Sequence, residues 1–373
     1  MREALAERLL AQVMQWTPEN VASERPLLQA MAAFKYDEYQ QFAPGMRFIE
    51  SFALWLNQFL TKEERDCAYN FIKEKLIFFS NAEIIHFIST AYHDHIRPIL
   101  IQRSGSIVST PKWKIHNIIK SIEFQSLRRR CLFLGLSDGA RIDIFRRSNP
   151  ELSHEQIWQA YELSPEKAKG IKTELVKDLS NIAQGNTPQE DTYFRMIFLI
   201  DDFSGSGFSY LRKSNSDDKY SGKIANFFEQ LTGDKTGLSS LVDLDDLYIG
   251  VIFYIATDKT KAHLESTLPN LFRGRKIEYG IQIVQLLTDE ACLQEPRDND
   301  FLSLINNYYD LNAEDEHTKK GGDDVKLGFA GCKLPVALSH NTPNNSFFLL
   351  WANKVQHKYR GLFPRISRHR SEV

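Results

Sequence analysis

The spacing of apolar residues changes near residue 126 of this chain. Up to residue 125, apolar positions recur at helical intervals, as in RFIESFALWLNQFL (47–60). The next stretch begins with Thr61 and has Glu64 three positions later, a pair that is typical of a helix N-terminus. The pattern therefore predicts an α-helical N-terminal unit over residues 1–125.

Beyond residue 126, short and nearly continuous apolar runs alternate with helical patterns. Strands that are apolar on both faces are typical of a parallel sheet with helices on both sides, so we predict an α/β domain over residues 126–373. The predicted strands are CLFLGL (131–136), IFLI (197–200), LYIGVIFYIA (247–256), YGIQIVQLL (279–287) and KLPVALS (333–339). The predicted helices cover residues 141–149, 153–183, 223–233, 261–272 and 300–311.

Composition narrows the class of protein. A chain of 373 residues with 42% hydrophobic and 25% charged residues is typical of a folded, soluble protein, and a net charge of −2 implies no overall attraction to nucleic acid. No apolar run approaches the roughly 18 residues of a membrane span, and the N-terminus does not resemble a signal peptide. The scattered cysteines, without a CxxC pair, fit reduced thiols. We therefore expect a cytoplasmic protein without membrane contact.

The strongest chemical signal is the stretch IFLIDDFSGSGFS (197–209). Asp201 and Asp202 would follow a strand at its carboxyl end, where open α/β sheets bind ligands. Gly205 and Gly207 would let backbone N–H groups converge on an anion, serines would add donors, and a following helix N-terminus would favour negative charge. A ribose 5-phosphate fits, with its hydroxyls on the aspartates and its phosphate in the loop. A plain turn with an Asp cap is the alternative, but it leaves the second aspartate unexplained.

This stretch resembles the phosphoribosyl-pyrophosphate motif of type I phosphoribosyltransferases: four apolar residues, two acidic, three variable, then Thr-Gly-any-Thr/Ser. Ser206 stands where Thr is usual, while Gly207 and Ser209 match. The resemblance implies displacement at the anomeric carbon of the ribose, with substrate-bound Mg²⁺ as the expected cofactor and no protein metal cage. It implies catalytic roles for Asp201 and Asp202, and ligand contacts from Ser204, Gly205, Ser206, Gly207 and Ser209.

Two further loops are candidate ligand contacts. In the same family a first strand ends in a loop of small residues that contacts pyrophosphate, and Ser137, Asp138, Gly139 and Arg141 follow CLFLGL in that order; an ordinary strand-to-helix turn is the alternative. His340, Asn341 and Asn344 follow KLPVALS. If that strand joins the sheet, they lie on the same rim as Asp201; a turn built on Asn and Pro is the alternative.

Other polar stretches carry weaker signals. The loop 213–223 has the composition of a flap over the site or of a plain connector. His93 and His95 do not share a helix face, so we read them as structural and not as metal ligands. The basic runs at 128–130 and 365–370 fit either contacts to nucleic acid or a solvated surface.

Stretches along most of the chain resemble the phosphoribosyltransferase-like effectors of bacterial conflict systems, including those found beside retron reverse transcriptases. These stretches include FIESFALWLNQFL, KLIFFSNAEIIHFI, HIRPIL, GLSDGARID, DDFSGSGFS and HNTPNNS. The resemblance implies an anti-phage toxin controlled by partners, such as a reverse transcriptase or a DNA-binding regulator with its nucleic acid, with self-association as a further expectation. We expect such an effector to act on phosphoribosyl pyrophosphate or a related nucleotide such as NAD. A housekeeping nucleobase phosphoribosyltransferase and a non-enzymatic nucleotide sensor remain alternatives.

Overall fold

A computed structural model describes residues 3–183, 192–213, 219–233, 237–314, 322, 325–353 and 357–365. Its contacts group the chain into two compact units. The central unit is Ile85–Leu287, and the terminal unit combines Met1–Ile84 with Thr288–Val373. The sequence analysis divided the chain between residues 125 and 126, so these compact units have different bounds. The division into domains at that point stays a prediction.

The strands and helices are numbered separately, each in chain order. The strands are β1 (Ile77–Phe79), β2 (Cys131–Gly135), β3 (Ile157–Trp158), β4 (Met196–Ser204), β5 (Arg212–Lys213), β6 (Tyr220–Ser221), β7 (Leu247–Thr257), β8 (Ile277–Leu287) and β9 (Val336–Leu338). The helices are α1 (Glu3–Met14), α2 (Pro18–Phe34), α3 (Phe48–Leu56), α4 (Lys62–Lys75), α5 (Asn81–Thr90), α6 (Arg97–Ile107), α7 (Ile115–Lys120), α8 (Ile122–Arg129), α9 (Ile142–Ser148), α10 (Pro165–Ile182), α11 (Lys223–Thr232), α12 (Asp258–Leu271), α13 (Asn299–Asn307) and α14 (Phe348–Trp351).

The central unit is built on a parallel sheet. Within the described residues its five strands lie in the order β3-β2-β4-β7-β8, and every neighbouring pair is parallel. All residues of β2 and β7 are buried, as expected for strands covered on both faces. The parallel α/β architecture predicted from the apolar runs is therefore confirmed.

One predicted helix of the central unit is wrong over its first part. Residues 153–164 do not continue the helix, because His154–Gln156 form a short 3₁₀ turn and Ile157–Trp158 pair with β2. Helix α10 begins only at Pro165, whose missing N–H and fixed φ suit the first helical position. The Ser164 side chain accepts a hydrogen bond from the Lys167 N–H and caps this end.

The terminal unit is mainly helical and joins the two ends of the chain. The predicted capping of α4 is confirmed: Thr61 Oγ1 accepts from the Glu64 N–H at 3.1 Å, and the Glu64 carboxylate accepts from the Thr61 N–H. The predicted strand at 333–339 forms over Val336–Leu338, but it pairs with β1. The sequence analysis predicted no strand at Ile77–Phe79.

Residues far apart in sequence share the core of the terminal unit. Trp55 is fully buried, and its indole N–H donates to the Leu349 carbonyl at 2.7 Å. The rings of Phe71 and Phe301 stack with their centroids 3.7 Å apart. The segment after residue 288 is thus an integral part of this unit. In the ranges that the structure covers, no helix is long and apolar enough to cross a membrane.

Candidate functional site

Two loops of the central unit meet at the carboxyl ends of the neighbouring strands β2 and β4. The register pairs Gly135 with Ile200, and Ser137 follows two positions after Gly135, while Asp201 comes directly after Ile200. The Ser137 hydroxyl donates to Asp201 Oδ1 at 2.5 Å. The structure therefore brings the predicted small-residue loop and the acidic pair together, at the edge where α/β sheets bind ligands.

Strand β4 continues through both aspartates to Ser204 instead of ending at Ile200. Successive side chains of a strand point to opposite faces, so Asp201 and Asp202 are separated by the pleat. Asp201 is fully buried, whereas Asp202 is only partly buried. The two carboxylates thus occupy different environments although they are adjacent in sequence.

Asp201 accepts hydrogen bonds on both carboxylate oxygens. Besides Ser137, the Asp202 N–H donates to Oδ1 at 3.1 Å. The Tyr210 hydroxyl donates to Oδ2 at 2.9 Å, and Lys223 Nζ forms an ion pair with the same oxygen at 2.5 Å. Burial and the adjacent Asp202 charge raise the pKa of Asp201 above its ordinary value, against the opposing effect of Lys223.

Asp202 lies directly against the loop after β2. A Cβ placed on Gly139 would lie 2.6 Å from the Asp202 carboxylate, so only glycine allows this approach. Behind the loop, the Tyr254 hydroxyl of β7 donates to the Ala140 carbonyl at 2.9 Å. Burial and the charges of Asp201 and Asp202 raise the pKa of Tyr254 well above its ordinary value, which keeps this donor protonated.

Hydrogen bonds from the N-terminal end of α12 hold the loop after β4 in place. Thr260 Oγ1 donates to the Ser204 carbonyl at 2.9 Å and lies 3.0 Å from the Ser204 hydroxyl. Thr257 Oγ1 donates to the Gly205 carbonyl at 2.7 Å. Gly207 has a φ of +77°, and a Cβ there would lie 2.8 Å from the His263 ring. This site therefore requires glycine for both its conformation and its space.

The same loop presents backbone donors. In the part of the chain that the structure describes, the N–H groups of Ser206, Gly207 and Ser209 donate to no protein acceptor. The side chain of Ser206 is buried, and that of Ser209 is exposed. Unpaired N–H groups on a tight loop are suited to an anion such as phosphate.

The sequence analysis predicted that the loop after β4 leads into a helix N-terminus, and the structure shows a different course for the chain. After Ser209 the chain turns, with the Tyr210 N–H donating to the Gly207 carbonyl, and enters β5. Helix α11 begins later, and its first N–H groups, from Lys223 and Ile224, donate to the carbonyls of Ser209 and Tyr210. The backbone donors at this position therefore belong to the loop itself and not to a helix end.

Arg141 closes the loop after β2 in a left-handed conformation, with a φ of +43°. A long side chain rarely adopts this conformation, and such strain is concentrated at functional sites. Of the neighbouring arginines, Arg147 pairs with Asp143, and Arg146 donates to the Ile157 carbonyl. Ser137, Asp138, Gly139 and Arg141 thus lie where the sequence placed them, and their ligand contacts stay a prediction.

His340, Asn341 and Asn344 lie in the terminal unit. The argument for them required β9 to join the sheet that contains β4, and that premise is wrong because β9 pairs with β1. The Asn341 N–H donates to the Leu338 carbonyl, and Asn344 offers its carbonyl to the Phe329 N–H. Their role as ligand contacts remains a prediction without that support.

The remaining sequence signals have structural partners or lie outside the described residues. His93 lies 3.5 Å from Glu151, and the described residues contain no cluster of three or more His, Cys, Asp or Glu side chains that could hold a metal ion. Within the basic run at 128–130, Arg129 forms an ion pair with Asp178. The middle of the loop 213–223 and the basic tail after Arg365 lie outside the described residues.

Sequence reasoning missed Tyr210, Lys223, Thr257 and Thr260. Tyr210 directly follows the recognised motif, so its position was a usable signal. Lys223 lies 22 positions after Asp201, and no spacing rule connects them. The threonines could have been found only as a cap at the start of α12, where Thr257 accepts from the Thr260 N–H.

The sheet order, the two loops and the acidic pair define a phosphoribosyltransferase-like α/β protein. The family model PRTase-CE matches residues 53–365, so the chain belongs to the PRTase-CE family. No curated protein and no solved structure matches the chain.

Proposed function

We propose that the central unit binds a ribose 5-phosphate ligand, either phosphoribosyl pyrophosphate or a related nucleotide such as NAD. The observation that carries this proposal is the combination of the partly exposed Asp202 with the N–H groups of Ser206, Gly207 and Ser209, which donate to no acceptor among the described residues. A carboxylate accepts hydrogen bonds from ribose hydroxyls, and converging N–H groups hold a phosphate. Membership in a family with a phosphoribosyltransferase-like fold supports this ligand class.

The reaction that follows from this ligand is substitution at the anomeric carbon. The bond from that carbon to pyrophosphate, or to nicotinamide in NAD, breaks with its electron pair on the leaving group. The acceptor forms the new bond and releases its proton to solvent. Positive charge develops on the ring, and the proposed role of the Asp202 carboxylate is to stabilise it.

Mg²⁺ fits this site as a companion of the ligand. The Asp201 carboxylate is engaged by Lys223, and Asp202 is the member of the pair with accessible surface. Asp202 is therefore the residue that would contact a cation bound mainly by pyrophosphate oxygens. Such a cation would neutralise the leaving group.

The biological role that we propose is that of a toxin in anti-phage defence, controlled by a protein partner. The support for this role is the resemblance of the stretches GLSDGARID, DDFSGSGFS and HNTPNNS to conflict-system effectors. The sequence also shows no recognisable hood for a nucleobase, which disfavours a salvage enzyme.

The test is calorimetry of the purified chain with phosphoribosyl pyrophosphate and Mg²⁺, followed by NAD. We expect saturable binding that weakens about tenfold or more in Asp202→Asn, because a charge-assisted hydrogen bond contributes ~1.5–3 kcal/mol. Asp245→Asn is the matched control, since this exposed carboxylate precedes β7 at the opposite end of the strands. Silence with both ligands would reject the binding proposal. Expression of both variants in bacteria then tests the toxin, since toxicity that survives Asp202→Asn would contradict an enzymatic role.

A further inference from the structure

The two aspartates of the acidic pair lie in different environments. We propose that Asp201 is a positioning residue that fixes the loop Gly205–Ser209 through Tyr210 and Lys223, and that Asp202 alone of the pair meets the ligand. This inference rests on the proposed ribose-phosphate site and assigns different tasks to its two carboxylates.

The hydrogen bonds of Asp201 occupy most of its capacity for a ligand. An ionised carboxylate offers about four acceptor positions. Two donors reach Oδ1, from Ser137 and the Asp202 N–H. Oδ2 accepts from Lys223 and shares the single proton of the Tyr210 hydroxyl with the Phe203 carbonyl. The side chain is also fully buried, so a ribose hydroxyl would have to displace a donor to reach it.

The donors on Oδ2 come from the two chain segments that close the loop. Tyr210 directly follows Ser209, and its hydroxyl lies 2.9 Å from Asp201 Oδ2 and 2.8 Å from the Phe203 carbonyl. The Lys223 N–H donates to the Ser209 carbonyl at 3.1 Å, and its ammonium group lies 4.8 Å from the Tyr210 ring centroid. One buried carboxylate thus fixes the end of the loop at two points.

Asp201 also supplies the negative charge that pairs with Lys223. The Lys223 ammonium lies 2.5 Å from Asp201 Oδ2. If Asp201 were neutral, this ammonium would stay beside the loop without its carboxylate, and the unpaired charge would disturb the end of the loop. Removing both charges together would relieve this disturbance. This reasoning distinguishes a positioning role from direct ligand contact.

The experiment compares Asp201→Asn, Lys223→Gln and the double variant by calorimetry with phosphoribosyl pyrophosphate and Mg²⁺. We expect Asp201→Asn to weaken binding about tenfold, and the double variant to return to within about threefold of the wild-type chain. In the Asp202→Asn background, Lys223→Gln should give no recovery. A double variant as weak as Asp201→Asn alone would overturn the proposal, because a direct ligand contact cannot be restored at Lys223.

A second readout needs no ligand. The N–H groups of Tyr210 and Leu211 donate to the Gly207 carbonyl, and that of Ile224 donates to the Tyr210 carbonyl. Their hydrogen exchange should accelerate in Asp201→Asn and recover in the double variant. Unchanged exchange in Asp201→Asn would refute the positioning role even if the wild-type chain bound no ribose phosphate, a result that would refute only the proposed function.

Tyr210→Phe provides a further check in case Asp201→Asn does not fold. It removes the hydroxyl that links the loop to Asp201 and Phe203 and leaves every charge in place. We expect faster exchange at Leu211 and Ile224 together with weaker ligand binding. If neither changes, Tyr210 does not transmit the position of Asp201 to the loop, and the proposal fails.

Discussion

The central and terminal units are assembled from the chain in opposite ways. The central unit takes all five strands of its sheet from one continuous stretch, Ile85–Leu287. The terminal unit takes its core from two segments that more than 200 positions separate, as in the contact of Trp55 with Leu349, where the separation is 294. Local pattern thus accounts for much of the first unit, whereas the core of the second depends on long-range packing.

Trp55→Ala tests this comparison with the largest expected effect. Trp55 is fully buried in the terminal unit and donates to a carbonyl from the other segment. We expect a loss of about 3–5 kcal/mol in the free energy of unfolding, because the change opens a cavity and removes one of the two hydrogen bonds that the Leu349 carbonyl accepts. Urea denaturation followed by circular dichroism measures it.

The matched control is Trp113→Ala in the central unit. Its side chain is 75% exposed, so we expect a change within about 0.5 kcal/mol. Equal effects of the two substitutions would contradict the picture of a terminal unit held by long-range core contacts.

Gly139→Ala probes the central unit at a purely local contact. The new methyl group would push the Asp202 carboxylate aside, since a Cβ would lie 2.6 Å from it. We expect ligand binding to weaken about tenfold, with a cost to stability of about 1–3 kcal/mol at most. Calorimetry and thermal unfolding of the same preparation separate the two effects. Undiminished binding would show that the position of Asp202 does not matter to the ligand.

The smallest expected effect is a contrast in pH dependence. Burial raises the pKa of Glu64 in the terminal unit, but hydrogen bonds from Thr61, Tyr308 and Leu60 outweigh burial and hold this pKa below its ordinary value. Its stabilising contribution is therefore present above the unfolded pKa and is lost as pH falls through the folded pKa. Asp201 has a raised pKa, so its protonated form is the one that favours the folded state. Its contribution to the free energy of unfolding is therefore present below its unfolded pKa and is lost as pH rises through the folded pKa.

Urea unfolding across pH 3–7 checks the contrast. The destabilisation caused by Glu64→Gln should shrink in acid, while that caused by Asp201→Asn should grow. Parallel trends in the two variants would contradict one of the two assigned directions.

The sequence predicted those parts of the fold whose signal is local. Continuous apolar runs predicted β2, β4, β7 and β8, and Thr61 with Glu64 predicted the start of α4. It could not predict that β1 pairs with β9, because both strands have three residues and are distant in sequence. The pairing depends on the core of the terminal unit, which no short window of sequence contains.

The candidate site shows the same limit at the level of single residues. The motif placed Asp201 and Asp202 at the carboxyl end of β4. The sequence alone provided no reason to assign the two carboxylates different roles. Their difference depends on the pleat of a strand that continues to Ser204 and on a lysine 22 positions away. Neither feature has a periodic or compositional signal.

The split origin of the terminal unit has a consequence for synthesis on the ribosome. The chain emerges N-terminus first, at about 5–20 residues per second, and domains fold as their residues become available. The segment containing α1–α4 must wait until the partners of Trp55 and Ser51, Leu349 and Leu362, have been translated. The central unit is complete once residue 287 has emerged. The nascent protein therefore acquires the loops after β2 and β4 before its two ends can join.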